Sequence, residues 1–137
     1  AESSATRWFY ATARTTANFY EACPLRDKLL ACARGEHKDW PLPERAAAMK
    51  RWREILEDER ANTEAALPLV ERDMRLDCYY GGDHTFPHAA DMIRAKLLIL
   101  QTELAEFLPR IAKQCNIFDT VAGNATTSRK VGTAQSK

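Results

Sequence analysis

Apolar side chains recur three or four residues apart over three long stretches, the repeat of one helix face, and no segment shows the two-residue alternation of a strand. In the first stretch, Ser4 to Arg34, Trp8, Thr12, Thr16, Phe19 and Cys23 make a stripe that Phe9 and Tyr20 broaden and Leu25, Leu29 and Cys32 continue. Pro24 lacks an amide donor and crowds the preceding turn, which predicts a break or kink there. Gly35 is a natural stop. The second stretch, Pro43 to Leu76, opens with a first-turn proline and an acidic Glu44, both suited to a helix N-terminus. Its stripe is Met49, Trp52, Ile55, Leu56, Ala66, Leu69, Val70 and Met74, with Pro68 expected to kink the helix without ending it. The third, Pro87 to Gln114, has the cleanest stripe, from Ile93 through Leu97, Leu100, Leu104, Phe107 and Leu108 to Ile111. Thr85 is its candidate cap, and Pro109 should loosen its last turn.

This pattern predicts an all-α antiparallel up-down bundle of three main helical regions, the N-terminal one broken at Pro24. Residues 1–115 form the bundle and 116–137, small and polar, an expected flexible tail. The two long helices should meet through Trp52, Leu56, Val70, Leu97, Leu100 and Leu104.

Composition narrows the function. At 137 residues, 45% hydrophobic and 28% charged, the chain has the size and make-up of one globular domain. No apolar run approaches the roughly 20 residues of a membrane span. The chain begins at Ala1 without an apolar leader core, which suggests a processed product or, preferably, a piece of something larger. Twenty basic and 19 acidic residues alternate in sign through the body, which argues against nucleic acid. Cysteines 23, 32, 78 and 115 contain no CxxC spacing, so zinc is not expected. An intact third helix separates Cys78 from Cys115 by about 40 Å at 1.5 Å per residue, which forbids that disulfide. Cys32 and Cys115 can share the Trp40 end, although buried thiols are the preferred reading.

Asp83, His84, His88 and Asp91 are the most ligand-like group, but Pro87 interrupts the helical spacing, and a polar loop entering a helix explains them. Neither metal nor cofactor is expected. Glu59, Asn62 and Thr63 fall on the inward phase of the second stripe. A buried carboxylate must be paired or hydrogen-bonded. Arg14 or Lys96 can supply the charge, the bundle can splay open to water, or the carboxylates can serve catalysis. A polar layer or interdomain contact is preferred. Asp73, Arg75, Tyr79, Tyr80 and His84 gather at the junction of the two long helices, a mixture of rings and polar groups of the kind that recognises sugars or locks a loop. These five are the candidate ligand-binding residues, and no catalytic residue is assigned.

The segment ANTEAALPLVERDMRL, residues Ala61 to Leu76, resembles a stretch in the C-terminal helical regions of large bacterial proteins built around glycoside-hydrolase-like barrels. Ala66, Leu67, Pro68, Leu69, Val70, Glu71, Asp73, Arg75 and Leu76 carry it, followed by the loop DCYYGGDHTF and a helix with Met92, Arg94 and Lys96. The loop has Asp77 where that family usually has glycine. The resemblance spans about residues 52 to 110 and implies a non-catalytic accessory domain bracing or flanking a saccharide-processing domain. Its partners would be other domains of a parent protein and a saccharide, with no nucleic acid or membrane. The alternative is a free-standing helical module that holds a partner protein in a groove near Glu59.

Overall fold

The computed structural model describes residues 3–77 and 88–118, all-α throughout and without a strand among those residues. The predicted tail from Asp119 onward, the cap Thr85 and Cys78 lie outside the described residues. The helices are α1 (Ser4–Ala33), α2 (Leu42–Arg72), α3 (Ala89–Thr102) and α4 (Leu108–Gln114), with a π-helical segment at Glu103–Phe107 between the last two.

Local chemistry explains the ends. Ser3 caps α1 by accepting the Thr6 amide at 3.2 Å. At its other end Gly35 takes φ +88° while the amides of Gly35 and Glu36 return to Cys32 and Ala31 at 2.9 and 3.0 Å. Those two bonds make a Schellman motif, which glycine enters without steric penalty. The same motif closes α4. Asn116 takes φ +59°, and the Ile117 amide reaches the Ala112 carbonyl at 2.8 Å. It turns Ile117 into the core, so a residue assigned to the tail by pattern is buried.

Three expectations need correction. α1 is not broken at Pro24: the helix continues through it. Ala22 before the proline and Leu25 and Leu29 after it are held by one core, which offsets the lost hydrogen bond. The second helix ends at Arg72, not near Leu76, with Asp73 in extended conformation at its C-terminus. The third region is not one uninterrupted helix. Pro109 sits in the first turn of α4, and ahead of it the Leu108 amide donates five residues back to Glu103. The wider turn adjusts a ladder that a proline cannot continue with ordinary spacing.

α2 lies at the centre. Its contacts with α1 pair Arg14 with Asp58 and Glu21 with Arg51, so the two helices run in opposite directions. α3 packs on another side of α2, tied by Arg94 to Glu71 at 2.5 Å. The larger core sits at the Trp40 end, where Trp52, Leu56, Leu100, Leu104, Leu108 and Ile111 meet Leu29. Arg45 pins that end by donating to the carbonyls of Trp40, Cys115 and Lys38 at 2.5, 3.3 and 3.3 Å. A smaller cluster of Val70, Ala89, Ala90 and Ile93 closes the opposite end. Of the six expected core residues only Leu97 is less than fully buried.

Candidate functional site

α1 turns a different face to α2 than its aromatic stripe predicts. Ala11, Thr15, Asn18 and Ala22 lie partly buried, and Asn62 on α2 reaches across to the Ala11 carbonyl at 2.9 Å. Small side chains let the two backbones approach. The larger ones are left outside that contact, Phe19 on the α3 side and Tyr10 on the opposite side beside Arg7 and Leu69: Phe9, Tyr10 and Phe19 remain 75%, 71% and 60% exposed. Thr12 and Thr16, the middle of the predicted stripe, are also exposed, each hydroxyl donating to the carbonyl one turn back at 3.0 Å.

Because α2 separates α1 from α3, a groove remains between their outer edges, with α2 as its floor. Its upper part is a cavity of about 370 Å³ bounded by Trp8 and Thr12 on α1 and Met92 and Ile93 on α3. Its lower part, about 210 Å³, lies between Phe19, Cys23 and Arg26 on one side and Glu103 on the other. Lys96 and Thr15 line both.

The polar residues on the inward phase of α2 meet at this divide. Glu59 is buried and takes the Lys96 ammonium on Oε1, the Thr15 hydroxyl at 2.6 Å on the same oxygen and the Asn18 amide at 2.7 Å on Oε2. Thr63 is satisfied locally by the Glu59 carbonyl at 2.7 Å. Burial alone would push the Glu59 carboxyl up, but donors from Lys96, Thr15 and Asn18 outweigh it and hold the group below its ordinary value. Of the two expected cations, Lys96 pairs with Glu59, whereas Arg14 binds the neighbouring Asp58 through Nε at 2.8 Å and a second bond through Nη2. The arrangement is a saturated polar layer between two apolar clusters. Each carboxylate oxygen of Glu59 already accepts from a donor of the fold.

Glu103 differs. It is partly buried at the start of the π segment, and none of the described residues donates a hydrogen bond to its carboxylate. Arg26 is near enough to favour its charge but is held by Asp27 at 3.0 and 2.9 Å. Burial pushes the Glu103 carboxyl up, with Arg26 opposing. Periodicity gave no reason to single out this residue: it follows α3 in regular phase, its amide donating to Ile99 and Leu100, and only its neighbours from α1 mark it.

Of the candidate ligand-binding residues, Tyr79, Tyr80 and His84 lie outside the described residues. Asp73 and Arg75 face each other: the guanidinium donates to both carboxylate oxygens at 2.8 and 2.7 Å, and the Arg75 amide adds a bond at 3.2 Å. That pairing fixes the turn after α2. Asp77 caps α3. It accepts the Ala89 amide at 2.8 Å and lies 2.9 Å from His88 Nδ1. A carboxylate at a helix N-terminus is favourably placed for the helix dipole. His88 and Asp91 do not converge with other ligands, and no metal-holding cluster occurs among the described residues.

Cys32 and Cys115 are free thiols in contact, buried at the end of the bundle they were expected to share. Burial and the Cys32 thiol push Cys115 up to about 12, and its sulfur lies 3.4 Å from the Leu29 carbonyl. Cys23 is free and only partly buried in the groove wall. No helix among the described residues is long and apolar enough to cross a membrane. Compared with known proteins, the chain matches no family model, no curated protein and no solved structure.

Proposed function

We propose that this chain is a non-catalytic helical docking domain, an accessory unit that packs on a neighbouring domain of a larger carbohydrate-active protein through the open flank of α1. One observation carries the docking part: Phe19 stands 60% exposed on the wall of the groove, and Leu98 and Ile99 are exposed on α3, while small side chains make the α1 contact with α2. Apolar side chains left exposed at the rim of a cavity are what an interaction face offers. Glu59 and Lys96 are consumed by the fold, which leaves the groove's centre suited to packing rather than to proton transfer. The saccharide context rests on the resemblance of Ala61 to Leu76 and on the rings of Tyr79 and Tyr80. A free-standing helix-binding module would use the same groove and is the alternative.

Cys23 offers a direct test, because its thiol lines the groove. In the 137-residue chain it should react readily with a maleimide; in the protein encoded by the complete reading frame it should react at least about tenfold more slowly. Phe19→Asp should restore the fast rate. Equal rates in the two contexts would remove the docking reading. Saccharide titration of the complete protein with Tyr79→Ala and Tyr80→Ala addresses the second part, and unchanged binding in both variants would remove it.

A further inference from the structure

A helix packed on one side ordinarily turns charged residues to water on the other, and α2 does so. Lys50, Glu54, Glu57, Arg60 and Glu64 stand exposed along it, with Lys50 near Glu54 and Arg60 near Glu64. α1 departs from this rule. Between Ala5 and Pro24 its charged residues are Arg7, Arg14 and Glu21, and all three lie toward α2. Arg14 and Glu21 pair there with Asp58 and Arg51, and Arg7 borders the α2 residue Leu69. The opposite face of α1 carries no charge over that span, and Phe9, Thr12, Ala13, Thr16, Ala17 and Tyr20 are exposed on it.

The order of sizes along this face is the same from either end. Phe9, Ala13, Thr16 and Tyr20 recur at intervals of four, three and four residues, the spacing of a coiled-coil seam. Turned end for end about a point between Arg14 and Thr15, Phe9 falls on Tyr20, Thr12 on Ala17 and Ala13 on Thr16. Two copies of α1 laid antiparallel across a twofold axis therefore set ring against ring at both ends, with small side chains between. The small residues let the axes approach to about 8 Å at the centre, and a crossing of about 20° widens the gap toward the rings. Phe19 already holds the Tyr20 ring edge-to-face at 5.8 Å. Phe9 and Tyr20 are 75% and 73% exposed. Four such rings, at about 150–250 Å² each, with the Thr and Ala between them give a contact of roughly 1,000 Å², the lower bound for a specific association. Covering the face strips water from no charge, an advantage that only an equally uncharged partner face preserves.

We infer that the chain forms a twofold-symmetric dimer through the outer face of α1, the copies antiparallel and Ala13 of one set against Thr16 of the other. A contact of this size gives a weak dimer, with a dissociation constant on the order of 10–100 μM. It is separate from the docking reading above, because it leaves Leu98 and Ile99 on α3 uncovered.

Analytical ultracentrifugation of the 137-residue chain from about 1 μM to about 1 mM should show a monomer–dimer equilibrium within that range. Ala13→Glu and Thr16→Lys each place a charge at the centre of the seam. Each variant alone should associate at least about tenfold more weakly, with thermal unfolding unchanged because both positions are exposed. Mixed in equal amounts, the two should associate at least about tenfold more tightly than either by itself, since the new carboxylate of one copy meets the new ammonium of the other. Leu98→Asp should leave the equilibrium as it was. A chain that stays monomeric at every concentration would overturn the inference, as would a dimer that survives Ala13→Glu or one that Leu98→Asp abolishes. Failure of the mixture to recover association would overturn the antiparallel register, and the inference with it.

Discussion

Replacing Lys96 with Met tests the polar layer at its most exposed member. Lys96 is 35% exposed and Glu59 9%, so the pair is buried on the carboxylate side and open to water on the ammonium side. Two unit charges near contact attract by about 4 kcal/mol at an effective dielectric of about 20. Desolvating the carboxylate returns much of that, so the pair's net contribution is small, but deleting one member is not. Without Lys96, Glu59 keeps only the neutral donors Thr15 and Asn18. Such a loss costs about 3–5 kcal/mol in a fully buried pair. Water access at Lys96 should reduce it to roughly 2–3 kcal/mol at pH 7. Glu59→Gln should cost less, about 1–2 kcal/mol, because the ammonium can turn outward. The double variant should lose less than the sum of the two. The pH dependence follows from the sign of the shift. Glu59 is held below its ordinary value of 4.5, so its contribution is present above that pH and lost as pH falls through the lower folded value. Lys96→Met should therefore erase most of the acid-dependent loss assigned to Glu59 and approach the parent chain as pH falls below 4.5 through the lower folded value. Urea unfolding followed by tryptophan emission and circular dichroism, at pH 7 and over a descending acid series, would measure this. A loss under about 0.5 kcal/mol at pH 7, or a loss that does not shrink anywhere along the acid series, would refute the reasoning.

Leu100→Ala should cost about 2–5 kcal/mol by denaturant unfolding, because Leu100 is buried in the larger core; a change under about 0.5 kcal/mol would contradict that placement. In the native chain a thiol reagent should modify Cys23 well before Cys32 and Cys115, which should become reactive only on unfolding; prompt labelling of Cys115 in native conditions would contradict its burial and raised pKa.

What the sequence determined by itself was the helical class and the inward faces of two helices. On α2, Met49, Trp52, Ile55, Leu56, Ala66 and Val70 are buried as their spacing requires, and the third region contributes Ile93, Leu100, Leu104, Leu108 and Ile111. Large apolar side chains at helical intervals leave those helices one low-energy orientation, since turning the stripe outward would expose it all. The polar layer was legible for the same reason, because Glu59 and Thr63 fall in register with buried neighbours, and Lys96 was a named partner. The orientation of α1 was not determined in this way. It has two candidate faces, one bulky and one small, and helix periodicity favours the bulky one. Close contact with α2 through Ala11, Thr15 and Asn18, and the hydrogen bonds they make to Asn62 and Glu59, select the small one. Such bonds join residues more than 40 positions apart, and no local pattern records them. Nor does a local rule show that Asp77 caps α3, or that Cys32 meets Cys115. The wider turn ahead of Pro109 likewise keeps Leu104 and Leu108 in the core, a compromise between backbone hydrogen bonding and packing that only the assembled helices resolve.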